Sequence, residues 1–309
     1  MVEPSQRDVD RALNTSMQMF ERVQLGEVSA IEPRRTTSLL LAHAASSPAD
    51  TPTRGASALA KRSNLQVSVL AACPDSQQAA DRAIGRIGSG NVLPSPGDDD
   101  AFDQILAAAE SSQAEMILLP CPFGRDFEKI GPDSAGTVID VLMARSPVPL
   151  LVVRKPHEIA GTPFQHIALP LVGENRAAHD AAAWAAGLVA PGGRIDLLLV
   201  LEDEFHEHVL NLLESIDPDA KATPEALSAA LRKAHVRLHR ALQKAATAGH
   251  FDYSLRVEKE PEATEFLDQP LESLSLVVGA LDRPDQLTEG YVHHCVRFSR
   301  QPVLVVPYG

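Results

Sequence analysis

Ser146-Pro147-Val148-Pro149-Leu150-Leu151-Val152-Val153 and Ser299-Arg300-Gln301-Pro302-Val303-Leu304-Val305-Val306 are two copies of one pattern, half a chain apart. In each, a proline is followed by an apolar run, Leu150–Val153 and Val303–Val306. A short unbroken Val/Leu run behind a proline reads as a buried strand, because it is too short for a core helix. Upstream of each copy lies a helical segment that starts just after a glycine, at Gly136-Thr137-Val138 and at Gly290-Tyr291-Val292. Further upstream lies another apolar strand, Met116–Leu119 in one copy and Leu274–Val278 in the other. The order strand, loop, glycine, helix, proline, strand therefore occurs twice. A repeat on this scale is one of whole domains, not of solenoid units of about 20–50 residues.

Working outward, Ser38–Ala42 reads as the first strand and Leu65–Ala71 as the second. A Ser/Pro/Thr loop (Ser46–Thr53) and a short helical piece at Ala58–Ala60 lie between them. Gln77–Ile87 follows as a helix, and Asn91–Leu93 as a short third strand. Asp98 or Asp99 is placed to cap a helix whose apolar side is Phe102, Ile105, Leu106 and Ala109. Pro156, Gly161 and Pro163 break the chain before the second half. There His166–Val172, Ile195–Leu201 and Tyr253–Val257 read as strands. Asn175 is expected to cap a helix with the stripe Ala178, Ala181, Trp184, Ala185 and Leu188. Glu202–Ala222 is an acidic insertion with a short helix at Val209–Leu213. Thr223-Pro224-Glu225 then opens a long helix with the stripe Leu227, Leu231, Ala234, Leu238, Leu242 and Ala245, because proline and an acid favour a first turn. At the front of the chain, Val9, Leu13, Met17 and Phe20 predict a helix over Arg7–Val23 that packs on the body as an arm. The organisation expected is an arm (1–34), a first domain (35–156) and a second domain (157–309).

Strands alternating with helices imply an α/β fold with a doubly wound parallel sheet in each half, covered on both faces. Ligands of such folds sit beyond the carboxyl ends of the strands. A chain of 309 residues with 44% apolar residues fits two globular domains, each able to bury its own core. The net charge of −13 argues against nucleic-acid binding, which needs clustered cations for phosphates. No apolar run is long enough to span a membrane. Met1–Gln6 has neither a basic start nor an apolar core, so no signal peptide is expected, and the cytoplasm is the default location. Cys73, Cys121 and Cys295 form no CxxC pair and suggest no disulfide framework.

The apolar strand, the glycine loop, the Gly-Thr-Val helix start and the Pro-Val-Leu-Val-Val ending together resemble the universal stress protein family. The resemblance covers residues 36–155 and 165–307. It implies a five-stranded parallel sheet of order 3-2-1-4-5 in each half. It also implies pairing through the fifth strands, within a tandem chain or between the chains of a homodimer. Nucleotide-binding members carry G-x2-G-x9-G-[ST] after the fourth strand and an Asp after the first. Glycines let the backbone approach phosphates, and a helix start donates N–H groups to them. Both copies here depart from that pattern. In the first half Pro120 takes the leading glycine position, Gly124 is the best match to the second glycine, and Gly136-Thr137 ends the motif after sixteen positions where it wants thirteen. In the second half Gly279 is present, Asp282 replaces the second glycine, and Gly290-Tyr291 closes the motif after eleven. The acidic position holds Ala44, beside His43, in the first half and Val172 in the second.

The candidate ligand site is therefore in the first half, at Gly124, Arg125, Gly136, Thr137, Val138 and Ala44. ATP or AMP with Mg²⁺ is the ligand the resemblance implies there, and no cofactor is required by the residues themselves. The second half, with a carboxylate at Asp282, is expected to bind no nucleotide. The leading expectation is a non-enzymatic stress-response or regulatory protein that binds a protein partner or a small ligand. The alternatives are an ATP/AMP sensor using the first-half site, and a soluble regulatory module related to those attached to transporters. His235 and His239 have metal-ligand spacing, but Arg232, Lys233, Arg237 and Arg240 around them read as a solvated basic face. His293-His294-Cys295 offers ligand types that point about 100° apart on a helix. His206 and His208 read as solvated, Trp184 as core, and Asp98-Asp99-Asp100 as a cap and loop. Cys121 reads as a small half-buried residue, with a redox thiol as the alternative.

Overall fold

The computed structural model describes residues 29–43, 51–72, 77–94, 100–124, 135–154, 164–171, 176–201, 235–269, 276–281 and 289–307. The first half contributes β1 (Ser38–His43), α1 (Thr51–Ser63), β2 (Gln66–Ala71), α2 (Gln77–Ile87), β3 (Asn91–Leu93), α3 (Ala101–Ser111), β4 (Met116–Cys121), α4 (Thr137–Arg145) and β5 (Leu150–Arg154). The second half contributes β6 (His166–Leu171), α5 (Arg176–Leu188), β7 (Arg194–Leu201), α6 (Val236–Gly249), β8 (Asp252–Lys259), α7 (Glu260–Leu267), β9 (Leu276–Ala280), α8 (Glu289–Phe298) and β10 (Val303–Val306).

All strands among the described residues join one ten-stranded sheet of order β3-β2-β1-β4-β5-β10-β9-β6-β7-β8. Each half thus has the order 3-2-1-4-5, and the two fifth strands meet in the middle. Strands within each half are parallel, whereas β5 and β10 pair antiparallel through Val152↔Val303, Leu151↔Leu304 and Leu150↔Val305. The pairing has a plain cause. Leu150–Val153 and Val303–Val306 are apolar on both faces, so either one left as a bare edge would expose apolar side chains and unpaired peptide groups. The outer edges are managed differently. β3 is only three residues long, and β8 is half-exposed and carries Arg256, Glu258 and Lys259.

Because the sheet is continuous, each face has one core that spans both halves. One joins Leu39, Leu41, Leu118 and Leu151 to Ile167, Leu197, Trp184, Leu242 and Leu304. The other joins Leu40, Ile117, Ile139 and Val152 to Leu198, Phe266, Tyr291, Val296 and Val305. The repeated serine has a local role in both copies. The Ser146 hydroxyl donates to the Val148 carbonyl at 2.7 Å, and the Ser299 hydroxyl accepts from the Gln301 amide at 3.1 Å. Each bond holds the turn that feeds the proline and its strand. Gln301 is fully buried, and its amide donates to the Gln269 carbonyl just beyond α7.

Several boundaries differ from the sequence reading. α1 begins at Thr51-Pro52, inside the expected loop, with proline in the first turn where its missing N–H costs nothing. The residue at the N-cap of α3 is Asp100 and makes no side-chain cap bond, while Asp98 and Asp99 lie outside the described residues. β4 continues through Pro120 to Cys121. Helix α7 was not foreseen; it is short, and Pro261 marks its first turn. α5 is buried on nearly every side rather than along one stripe, with Ala177, Ala182, Ala183 and Ala186 added to the expected positions. Gly290 lies inside α8 instead of preceding it. The expected helices over Arg7–Val23 and at Val209–Leu213, the cap Asn175, and the first part of the long helix from Thr223 with Leu227, Leu231 and Ala234 lie outside the described residues, whereas α6 is the latter part of that long helix and buries Leu238, Leu242 and Ala245 as expected.

Candidate functional site

The carboxyl ends of β1 and β4 and the start of α4 form the first-half site region. β4 is buried along its whole length. It runs into a cis Cys121–Pro122 bond, buried Phe123, and Gly124 at φ 69°. The loop returns through buried Ala135 to Gly136, the N-cap of α4, at φ 88° and ψ 150°. Both φ values lie where a Cβ is strongly disfavoured, so glycine at 124 and 136 follows from backbone geometry. No side chain caps α4, so the Thr137 and Val138 amides at its positive end receive no side-chain cap.

Cys121 ties the strand to the loop. It is fully buried, and its thiol donates to the Ala135 carbonyl at 3.7 Å, one residue before Gly136. Burial pushes the thiol up to about 11, although the Arg154 guanidinium beside it pulls the other way. A thiol held protonated is a poor nucleophile, so Cys121 is a structural residue and fully buried, not the half-buried residue expected. The second half reaches this region. Arg154 Nη1 donates to the Val296 carbonyl of α8 at 3.4 Å, and Arg297 of α8 lies 3.7 Å from Asp140 in the first turn of α4.

Of the six predicted site residues, Gly124, Gly136, Thr137 and Val138 stand at this end of β4 and α4, whereas Ala44 and Arg125 lie outside the described residues. His43, next to Ala44, is a buried residue at the end of β1. In the second half, Gly279 sits within β9, where a Cβ would come 3.0 Å from a Val292 methyl. Its role is therefore close packing of α8 on the sheet. Val172 and Asp282 lie outside the described residues.

The histidines differ from expectation. His235 is buried, and His239 is half-buried with Nδ1 2.9 Å from the Tyr253 hydroxyl, so the pair does not form a solvated face. Arg237 is exposed. Burial raises the Tyr253 phenol. Among the described residues, no group of three or more His, Cys, Asp or Glu side chains is placed to hold a metal. No helix among them is long and apolar enough to cross a membrane.

One polar cluster escaped the sequence reading. Asp196 in β7 is fully buried. Its Oδ2 lies 2.8 Å from His166 Nε2, and its Oδ1 accepts from Arg194 Nε at 2.6 Å and from the Ser254 hydroxyl. Arg194 Nη2 also donates to the Ser254 oxygen at 3.2 Å. Burial pushes the Asp196 carboxyl up, but the bonds from His166, Ser254 and Arg194 outweigh it and bring the carboxyl down to about 2. The cluster stitches β6, β7 and β8 together at the start of the strands, opposite the carboxyl-end site. Its serine bonds the aspartate and the histidine bonds that aspartate's other oxygen, so it lacks the serine–histidine bond of a nucleophilic triad. The visible signal was the pair of charges Arg194 and Asp196 flanking Ile195 on an otherwise apolar strand.

No protein-family model and no curated relative matches the sequence. Solved structures do match its fold. A universal stress protein from Archaeoglobus fulgidus DSM 4304 superposes with a TM-score of 0.59 at 17% identity, covering 88% of this chain and 96% of that one. A functionally unknown protein from Pseudomonas aeruginosa PAO1 gives 0.56 at 13% identity, covering 88% and 92%. A putative universal stress protein from Pseudomonas aeruginosa UCBPP-PA14 gives 0.55 at 14%, covering 88% and 93%. Each match takes in both halves, so the chain has the fold of universal stress proteins along nearly its whole length, with its two halves in tandem.

Proposed function

We propose that the protein is a regulatory protein of the universal-stress type that acts by binding a protein partner or a small ligand and not by catalysis. The observation that carries this reading is the ten-stranded sheet closed through β5 and β10, which shares its fold over 88% of the chain with a universal stress protein. The same fold supports a soluble, cytoplasmic protein whose fifth-strand pairing is made within the chain; a homodimer would then use another surface.

A second reading, an ATP or AMP sensor, is favoured by one feature: α4 opens at Gly136 with no side-chain cap. Mg²⁺-bound phosphates would be held by the amides of Thr137 and Val138, with Gly124 allowing close approach. Against tight binding stand Pro120, which has no N–H to offer, and Asp140 in the first turn of α4. Losing one or two ligand hydrogen bonds costs about 1–3 kcal/mol each, which puts ATP affinity in the high-micromolar range or weaker. Native mass spectrometry of freshly purified protein, followed by calorimetric titration of the full chain and its Gly136→Val variant with ATP and Mg²⁺, tests this. Weak or no binding is expected. Submicromolar binding that Gly136→Val removes would replace the partner-binding reading with the sensor.

A further inference from the structure

β8 is the last strand of the sheet on the second-half side. Among the described residues it pairs with β7 alone, so the peptide groups on its other side face outward. Its two faces are covered instead. On one, Tyr253, Leu255 and Val257 pack against the core that includes α6, and His239 Nδ1 lies 2.9 Å from the Tyr253 hydroxyl. On the other, the Arg256 guanidinium lies over the Phe266 ring of α7, 5.0 Å from its centre, and the Ser254 hydroxyl is turned to Asp196. Tyr253–Glu258 is half-buried throughout, the state of a strand with packed faces and a bare edge.

The length of β8 sets it apart from the opposite end of the sheet. It has eight residues, against three in β3. β5 and β10 already pair with each other inside the chain. β8 is therefore the edge that offers a further strand the most peptide groups.

Its charges decide how such a strand can lie. Two copies of β8 related by a twofold axis run antiparallel, and directly opposed side chains share a face. A twofold axis perpendicular to the sheet preserves its faces, so the axis must pass beside a residue and not between two. The centres that pair the most of β8 are Ser254, Leu255, Arg256 and Val257. About Leu255, Asp252 meets Glu258; about Arg256, that arginine meets its own copy. Both oppose like charges, which directly opposed pairs disfavour. About Val257, Arg256 meets Glu258, but Leu255 faces Lys259, the N-cap of α7, where the chain leaves the sheet. About Ser254, Asp252 meets Arg256 on one face and Tyr253 meets Leu255 on the other, and the small Ser254 stands at the axis. Charge and apolar surface are both matched in this last register. The same charges that keep β8 from pairing at random thus select one way for it to pair.

We propose that β8 is a homodimerisation edge. A second copy of this chain adds its own β8 antiparallel about Ser254, Asp252 of each copy opposes Arg256 of the other, and the two sheets join end to end. The surface is distant in the fold from the first-half ligand site and does not depend on it. The seam Asp252–Arg256 is short, so the dimer is weak and reversible, with a dissociation constant of about 1–100 μM.

The test is sedimentation velocity of the full chain over about 1–500 μM, a range that brackets that constant, with hydrogen exchange of the β8 amides read at both ends of the range. A concentration-dependent dimer is expected, with β8 amides that exchange more slowly in it and β3 amides that do not change. Asp252→Arg, at an exposed position, sets like charges across the seam and should weaken the dimer about tenfold or more. Arg256→Glu should do the same, and the double variant should regain most of the parent's affinity, because exchanging these two residues restores opposite charges in the Ser254 register alone. Circular dichroism checks that each variant keeps the parent's fold; if Arg256→Glu does not, Asp252→Arg with the exchange data decides. A chain that stays monomeric across the range, a dimer that leaves β8 unprotected, a dimer indifferent to Asp252→Arg, or a folded double variant that does not recover would each overturn the proposal.

Discussion

Replacing Asp196 with Asn should destabilise the second half by about 2–3 kcal/mol at neutral pH, the range for losing charge-assisted hydrogen bonds at a buried carboxylate. The site supports that magnitude. Asp196 is fully buried, and its two oxygens serve His166, Arg194 and Ser254 on three neighbouring strands. The asparagine keeps one acceptor but turns an N–H₂ toward groups that are themselves donors. Acid should act in the same direction. The carboxyl sits at about 2 in the folded chain against an ordinary 3.8, a gap worth about 2 kcal/mol. A depressed carboxylate stabilises the fold above its ordinary value and loses that contribution as pH falls from about 4 toward 2. Trp184, the only tryptophan of the chain, is buried in α5 of the same half and reports its unfolding. Urea unfolding followed by its fluorescence should show a gap between parent and Asp196→Asn that is full at pH 7 and narrows toward pH 2. A gap below about 0.5 kcal/mol at pH 7, or one that does not change with pH, would refute the reasoning.

Val152→Asp with Val305→Asp should part the halves or precipitate the chain, because each places a carboxylate at a buried position of the central seam, at a cost of several kcal/mol apiece. Small-angle scattering that shows the parent's compactness in the double variant would rule this out. Cys121 and Cys295 should resist iodoacetamide at pH 8 in the folded protein and react once it is denatured, since burial pushes their thiols up to about 11 and about 12. Peptide mapping that finds Cys121 labelled at the rate of a free thiol would contradict the buried, protonated state.

Much of the site region was legible in the chain. Gly124 and Gly136 announced themselves as glycines in a loop between a strand and a helix, and the structure gives both the positive φ that glycine permits. What a Cβ-free position serves is not legible, since Gly279 and Gly187 look the same in sequence. The first of these admits the Val292 side chain and the second the Arg34 backbone. The polar cluster at Asp196 was invisible for a related reason. A charge on a strand reads only as an interruption of apolar alternation until its neighbours on β6 and β8 are known.

By itself, the sequence determined the local order of this protein: apolar runs too short for helices, proline and glycine at their ends, and a doubled pattern that made two α/β halves. Those features are local because strand and helix periods are set by backbone geometry within a few residues. Only the tertiary structure decided which surfaces meet. It set the antiparallel register of Val152 opposite Val303 and the crossing of residues 29–36 onto the helices of the other half. It also set the burial of Asp196 among three partners from separate strands. Each of these depends on residues far apart in the chain, whose encounter is chosen by the shape of the whole packed core and leaves no mark in the spacing of either partner alone.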